Sequence, residues 1–132
     1  MEVVVDASVL IAAITNEKEK EKLVAMTGEA GLIAPLSVHW EIGNAFSSLL
    51  KRKRVTLKEA LQAIDVYLKI PVRFVEVELK ESLELADEAG LYAYDAYILR
   101  CAAKYRLPLL TLDAGLIRAA KDRKIKVLEV SE

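Results

Sequence analysis

The run Glu2-Val3-Val4-Val5-Asp6 and the segment after it constrain the fold more than any other part of the chain. Three successive valines leave no polar side, so a strand made of them is buried on both faces. Asp6 closes the run, and "ASVLIAAI" continues at once with helical spacing. A doubly covered strand feeding directly into a helix is the unit from which parallel α/β sheets are built. The same pattern recurs along the chain. "GLIAP" (31–35), "VRFVEV" (72–77), "LPLLTL" (107–112) and "IKVLEV" (125–130) read as further strands.

Helical patterns lie between the strands. "SVLIAAI" and the charged "NEKEKEKLVAM" make one or two helices. "SVHWEIGNAFSSLLKRKR" is amphipathic, with Ser37 as the expected N-cap and bases in its last turn. "TLKEALQAIDVYLKI" starts at Thr56 as cap and stops before Pro71. "ELKESLELADEAG" ends at Gly90, and "LYAYDAYILRCAAKYR" and "AGLIRAAKDR" complete the set. The expectation is one domain over residues 1–132. Its class is α/β, with a parallel sheet of about five strands and helices on both faces.

Composition excludes some classes. The chain has 132 residues, 54% of them hydrophobic, and a net charge of −1, so it is no polycation built for nucleic acid. Only the local field at a site steers a charged substrate, so a nucleic-acid enzyme is still allowed. Cys101 is the only cysteine; no intrachain disulfide can form, and a reducing cytoplasm is the expected compartment. No apolar run approaches the roughly 18 residues of a membrane span. "MEVVVDASVL" carries acid and no base, which suits a signal peptide poorly. Charged residues make up 30% of the chain while Asn16, Asn44 and Gln62 are its only side-chain amides, a balance that leans toward a thermophilic source.

Chemistry enters with four acids. Ligands of open parallel sheets bind beyond the carboxyl ends of the strands. Asp6 ends the first strand and Asp113 follows the fourth in "LLTLD". Taken singly, each also looks like an N-cap for the helix after it. Asp95 shares a helix face with Ile98, Leu99 and Ala102, so it faces inward without a basic neighbour on that face. Glu41 flanks the apolar stripe Val38, Ile42, Ala45, Phe46 and Leu49, and no cap explains it: the capping-box position after Ser37 is Trp40. Asp65, Asp87 and Asp122 read as surface charges. Four carboxylates brought together repel, and protons or cations must neutralise them. An all-oxygen donor set selects Mg²⁺ or Mn²⁺ over Zn²⁺. The chemistry that follows is metal-assisted hydrolysis of a phosphodiester.

These residues resemble the PIN-domain family, and within it the VapC-type toxins of prokaryotic toxin–antitoxin pairs. The carriers are "VVVDASVL", "WEIGNA" and "AYDAYILRCAAKYRLPLLTLDAGLIRAA", in that order over nearly the whole chain. The resemblance implies a PIN-like, Rossmann-like sheet in the order 3-2-1-4-5. It implies a Mg²⁺- or Mn²⁺-dependent endoribonuclease, usually a homodimer, silenced by a VapB-type antitoxin. Residue by residue, Asp6, Glu41, Asp95 and Asp113 fall on the catalytic, metal-holding acids, with Asp113 acting through water. Ser8 and Thr111 match hydroxyls that hydrogen-bond the acids, and Asn44 matches a polar position one turn beyond Glu41. Some members carry a further acid near the last one; "DAGLI" has none, which argues against a second ion held by the protein alone.

Other features have plainer readings. Lys51, Arg52, Lys53 and Arg54 offer contacts to RNA phosphates, but a helix C-terminus attracts bases anyway. Tyr92, Tyr94 and Tyr97 surround Asp95; they stack on unpaired bases or, the favoured reading, pack at a partner surface. His39, the only histidine, has no nucleophile motif beside it, and Cys101 reads as core packing. Two other functions compete. A receiver-like Mg²⁺-binding signalling domain needs an acidic pair after the first strand and an Asp ending the third; "VRFVEV" ends otherwise. A non-catalytic interaction protein with the same fold would be marked by loss of a quartet acid, and none is lost.

Overall fold

The computed structural model describes residues 1–15, 17–27 and 30–128. The strands are β1 (Glu2–Val5), β2 (Gly31–Pro35), β3 (Val72–Val75), β4 (Leu109–Leu110) and β5 (Val127–Leu128). The helices are α1 (Ala7–Thr15), α2 (Glu17–Thr27), α3 (Ser37–Lys51), α4 (Leu57–Leu68), α5 (Leu79–Ala89), α6 (Ala93–Tyr105) and α7 (Ala114–Asp122). All five strands are parallel, in the order β3-β2-β1-β4-β5. This is the expected class and the order the resemblance implied. Asn16, at the start of the second expected helix, and Glu129 and Val130, at the end of the last expected strand, lie outside the described residues.

The valine run occupies the centre of the sheet. Val3, Val4 and Val5 are fully buried, as are Ile33 and Ala34 of β2 and Leu109 and Leu110 of β4. Successive side chains of a strand point to opposite faces, so full burial of neighbours means cover on both sides. Helix α6 packs against β1 and β2 and also against α5; α1 meets α2, α3 and α4. The stripe of α3 turns inward as expected, with Val38, Ile42 and Phe46 buried.

Local signals set most of the ends. Thr56 caps α4 through a complete capping box: its hydroxyl accepts from the Glu59 N–H, and Glu59 accepts from the Thr56 N–H. Gly90 ends α5 in the left-handed conformation, φ 66°. Ser37 corrects an expectation. It lies inside α3, the helical backbone already includes Leu36, and no side-chain cap forms. The Ser37 hydroxyl is buried and has no hydrogen-bond partner among the described residues. β3 and β4 are shorter than their apolar runs. β4 keeps only Leu109 and Leu110; Thr111 follows them and donates its hydroxyl to Asp6.

Candidate metal centre

Register brings the first two acids together. β1 and β4 are parallel neighbours, with Val5 opposite Leu110, so Asp6 and Thr111 follow at the same level on the carboxyl rim. Thr111 Oγ1 donates to Asp6 Oδ2 at 2.5 Å and accepts from the Asp113 N–H at 3.1 Å. Ser8 Oγ donates to Asp6 Oδ1 at 2.6 Å and accepts from the Leu112 N–H at 3.2 Å. Two hydroxyls therefore tie the end of β1 to the end of β4 through one carboxylate. Asp6 also accepts from the Val9 N–H in the first turn of α1. Asp113 caps α7 by accepting from the Leu116 N–H at 2.9 Å. The capping role and a place on the rim coexist in both residues.

Glu41 comes from the second turn of α3 and Asp95 from the first turn of α6. Both are half-buried, Asp6 is 7% exposed and Asp113 is exposed. Among the described residues no hydrogen bond or ion pair reaches the Glu41 or Asp95 carboxylates. The four acids share one field. Burial raises the Glu41 carboxyl, with the charges of Asp6 and Asp95 adding, to about 7. Asp95 is raised by burial and then by Asp113 and Asp6. Asp6 is raised by burial in spite of three hydrogen bonds that favour its charge, with Asp113 adding to the rise. Like charges held this close and partly buried favour protonation unless a cation offsets them.

The donor set fits a hard divalent ion: carboxylate oxygens only, and no sulfur or imidazole among the residues that share the field. The arrangement is nevertheless open. Among the described residues no three Asp, Glu, His or Cys side chains close around one point tightly enough to hold an ion. Ser8 and Asn44 line a cleft beside Glu41 that also takes in Ala7, Ile11, Trp40, Ala45 and Tyr94. That Trp40 borders this cleft was not read from the sequence. The available signal was a large aromatic residue off the apolar stripe of α3 and next to Glu41.

The remaining expected residues lie apart. Lys51 to Arg54 are exposed at the far end of α3, about 15 Å along the axis from Glu41 at 1.5 Å per residue. Asp65, Asp87 and Asp122 are exposed, as expected. His39 is partly packed, sharing a 2.9 Å hydrogen bond between its Nδ1 and the Tyr67 hydroxyl. Cys101 is fully buried, and burial pushes its thiol up to about 12. Tyr92 and Tyr94 are exposed, Tyr94 at the cleft beside Glu41, while Tyr97 is half-buried.

Comparison with known proteins bears on the whole chain. The PIN domain family model matches residues 3–122. No curated protein matches the chain by sequence. Among solved structures, PAE2754 from Pyrobaculum aerophilum is 27% identical with a TM-score of 0.71, covering 90% of this chain and 86% of that one. VapBC2 from Rickettsia felis, solved bound to a DNA fragment from its promoter, is 16% identical with a TM-score of 0.68, covering 97% and 98%. VapC20 from Mycobacterium tuberculosis, described as a sarcin-ricin-loop-cleaving toxin, is 15% identical with a TM-score of 0.61, covering 89% and 95%. The last two share the fold.

Proposed function

Because the chain belongs to the PIN-domain family, we propose that it is a metal-dependent endoribonuclease and the VapC-type toxin of a toxin–antitoxin pair. The observation that carries this reading is the gathering of Asp6, Glu41, Asp95 and Asp113 near the rim where β1 and β4 end, close enough for their charges to act on one another. Asp6, Glu41 and Asp95 would hold a Mg²⁺ or Mn²⁺ ion directly and Asp113 through water. Such an ion supplies charge neutralisation, polarisation of a phosphoryl oxygen and activation of water near neutral pH.

The chain's own residues supply position. Ser8 and Thr111 fix both oxygens of Asp6, so its remaining lone pairs point in set directions. Asn44, exposed one turn beyond Glu41, offers an amide to a phosphate oxygen. The tetrad of Lys51, Arg52, Lys53 and Arg54 is too distant to touch the scissile phosphate and suits a remote segment of the strand.

Two apolar surfaces suit the partners of this reading. A groove of about 290 Å³ between α1, α2 and α4, lined in part by Val9, Ala13, Leu23, Val24 and Ile70, fits an amphipathic antitoxin segment. Leu36, Leu79 and Leu83 are exposed on another face, which suits a second copy of the chain. Among the described residues no helix is long and apolar enough to cross a membrane. The lone buried thiol suits a reducing cytoplasm.

The test is cleavage of end-labelled single-stranded RNA by the purified chain with Mg²⁺ or Mn²⁺, with chelator, and with Asp95→Asn in parallel. Cutting that requires both the metal and Asp95 supports the reading. Cutting that survives Asp95→Asn, or no cutting of any RNA together with no metal bound, overturns it in favour of a non-catalytic interaction protein.

A further inference from the structure

Two exposed aromatic residues stand directly before two of the acids. Trp40 precedes Glu41 on α3, and Tyr94 precedes Asp95 on α6. Adjacent helical residues point about 100° apart, so each acid turns toward the rim while its aromatic neighbour stays outside. Trp40 is 66% exposed and Tyr94 55%. Both line the same cleft, about 320 Å³ in volume, together with Ser8, Glu41 and Asn44.

The rings are braced from the side. Trp40 meets the His39 ring edge-on, with centroids 4.8 Å apart and planes at 79°. His39 is in turn held by its hydrogen bond to the buried Tyr67 and by an edge contact with Phe74. Tyr94 meets Tyr97 at 6.1 Å and 80°. Among the described residues no ring stacks face to face on either. The cleft has no Lys or Arg in its lining and includes Glu41, on whose carboxyl the charges of Asp6 and Asp95 also act, so it repels a phosphate backbone unless an ion is present. Affinity for a strand at this point has to come from uncharged contacts. Base stacking on aromatic faces is such a contact, and it requires an unpaired base.

We propose that Trp40 and Tyr94 form a stacking platform that takes one unpaired nucleobase of the RNA beside the scissile phosphate and so positions the strand over the acids. This rests on the ribonuclease reading above. Both residues position the substrate; neither touches the reacting atoms. A site built this way favours single-stranded or looped RNA over duplex.

Trp40 is the only tryptophan of the chain, so its emission reports on this position alone. The experiment follows that emission and cleavage together in Mg²⁺ on mixing with a single-stranded RNA 12-mer, the same 12-mer in a duplex, and an abasic strand of equal charge. Quenching by the single strand only is expected. Trp40→Leu and Tyr94→Leu are each expected to raise KM by about 5- to 150-fold with kcat less affected, the range that single stacking contacts span. Trp40→Phe should restore most of the loss. Unchanged KM in both Leu variants, with cleavage intact, overturns the platform and leaves the ribonuclease reading standing. Equal quenching by the abasic strand also overturns it. Emission that changes with protein concentration but not with RNA assigns Trp40 to an interface between copies and overturns it as well. If the wild-type chain neither cleaves nor binds RNA, both readings fall.

Discussion

Thr111 and Asp6, 105 residues apart in sequence, are joined by a 2.5 Å hydrogen bond from the threonine hydroxyl to a carboxylate oxygen, at the point where two central strands end. Both residues are buried, so the bond has little competition from water. Thr111→Val keeps the shape and removes the donor. The expected result is a loss of about 1.5–3 kcal/mol of stability in denaturant unfolding, the range for bonds to charged groups. A loss of about 10- to 100-fold in metal affinity or cleavage should accompany it, as for other residues that orient a ligand.

The raised acids set the pH dependence of the metal-free chain. Glu41 titrates at about 7 when folded against an ordinary 4.5, so between those values the folded chain binds more protons than the unfolded one. Stability then falls as pH rises through that window. Asp6 and Asp95 are raised as well and act with the same sign. The thermal midpoint without metal should be higher at pH 5 than at pH 8, and Glu41→Gln should flatten that difference. At the acid end Glu78 acts oppositely. The Arg100 side chain, hydrogen-bonded to it at 2.9 Å, and Lys104 beside it at 3.2 Å hold its carboxyl down at about 2. Its contribution is present above about 4.5 and is lost as pH falls toward 2.

Asp95→Asn separates function from folding. It removes one charge from a cluster with no cation, so the metal-free variant should melt at or above the wild-type temperature while losing cleavage and metal-induced stabilisation. A lower midpoint for the metal-free variant would mean that Asp95 serves the fold rather than the site.

Cys101 is fully buried with its thiol pushed up to about 12, so it should resist an aromatic disulfide reagent at pH 8 in the native chain and react at once in denaturant. The rate of labelling under native conditions then reports opening of α6, the helix that carries Asp95.

Thr56 provides a control far from the rim. Its capping box is complete and exposed, and Thr56→Ala should cost about 0.5–2 kcal/mol while leaving cleavage unchanged.

What the sequence made legible follows from how local each signal is. The valine run located the buried central strand, Thr56 and Gly90 located helix ends, and the inward stripe of α3 was readable because period and burial agree. Asp6 and Asp113 could be placed at strand ends, but only the pairing of β1 with β4 makes them neighbours, and pairing is a long-range fact. Ser37 shows the limit of a local rule: a serine before an apolar stripe caps a helix only if its own backbone stays outside the helical conformation, and α3 already includes Ser37. The place of Trp40 beside a cleft is illegible for a related reason. A helical wheel separates inward from outward residues and does not say that an outward one borders a cleft shared with a second helix.

If Asp6 and Asp113, beyond β1 and β4, join Glu41 of α3 and Asp95 of α6 in one divalent-ion site, calorimetric titration of Mn²⁺ into the metal-free chain at pH 8 will show it. The wild type should bind one ion per chain, and Asp6→Asn, Glu41→Gln and Asp95→Asn should each lose that heat. A wild-type chain that binds no Mn²⁺, or variants that bind it as well as the wild type, would mean that these carboxylates do not make such a site.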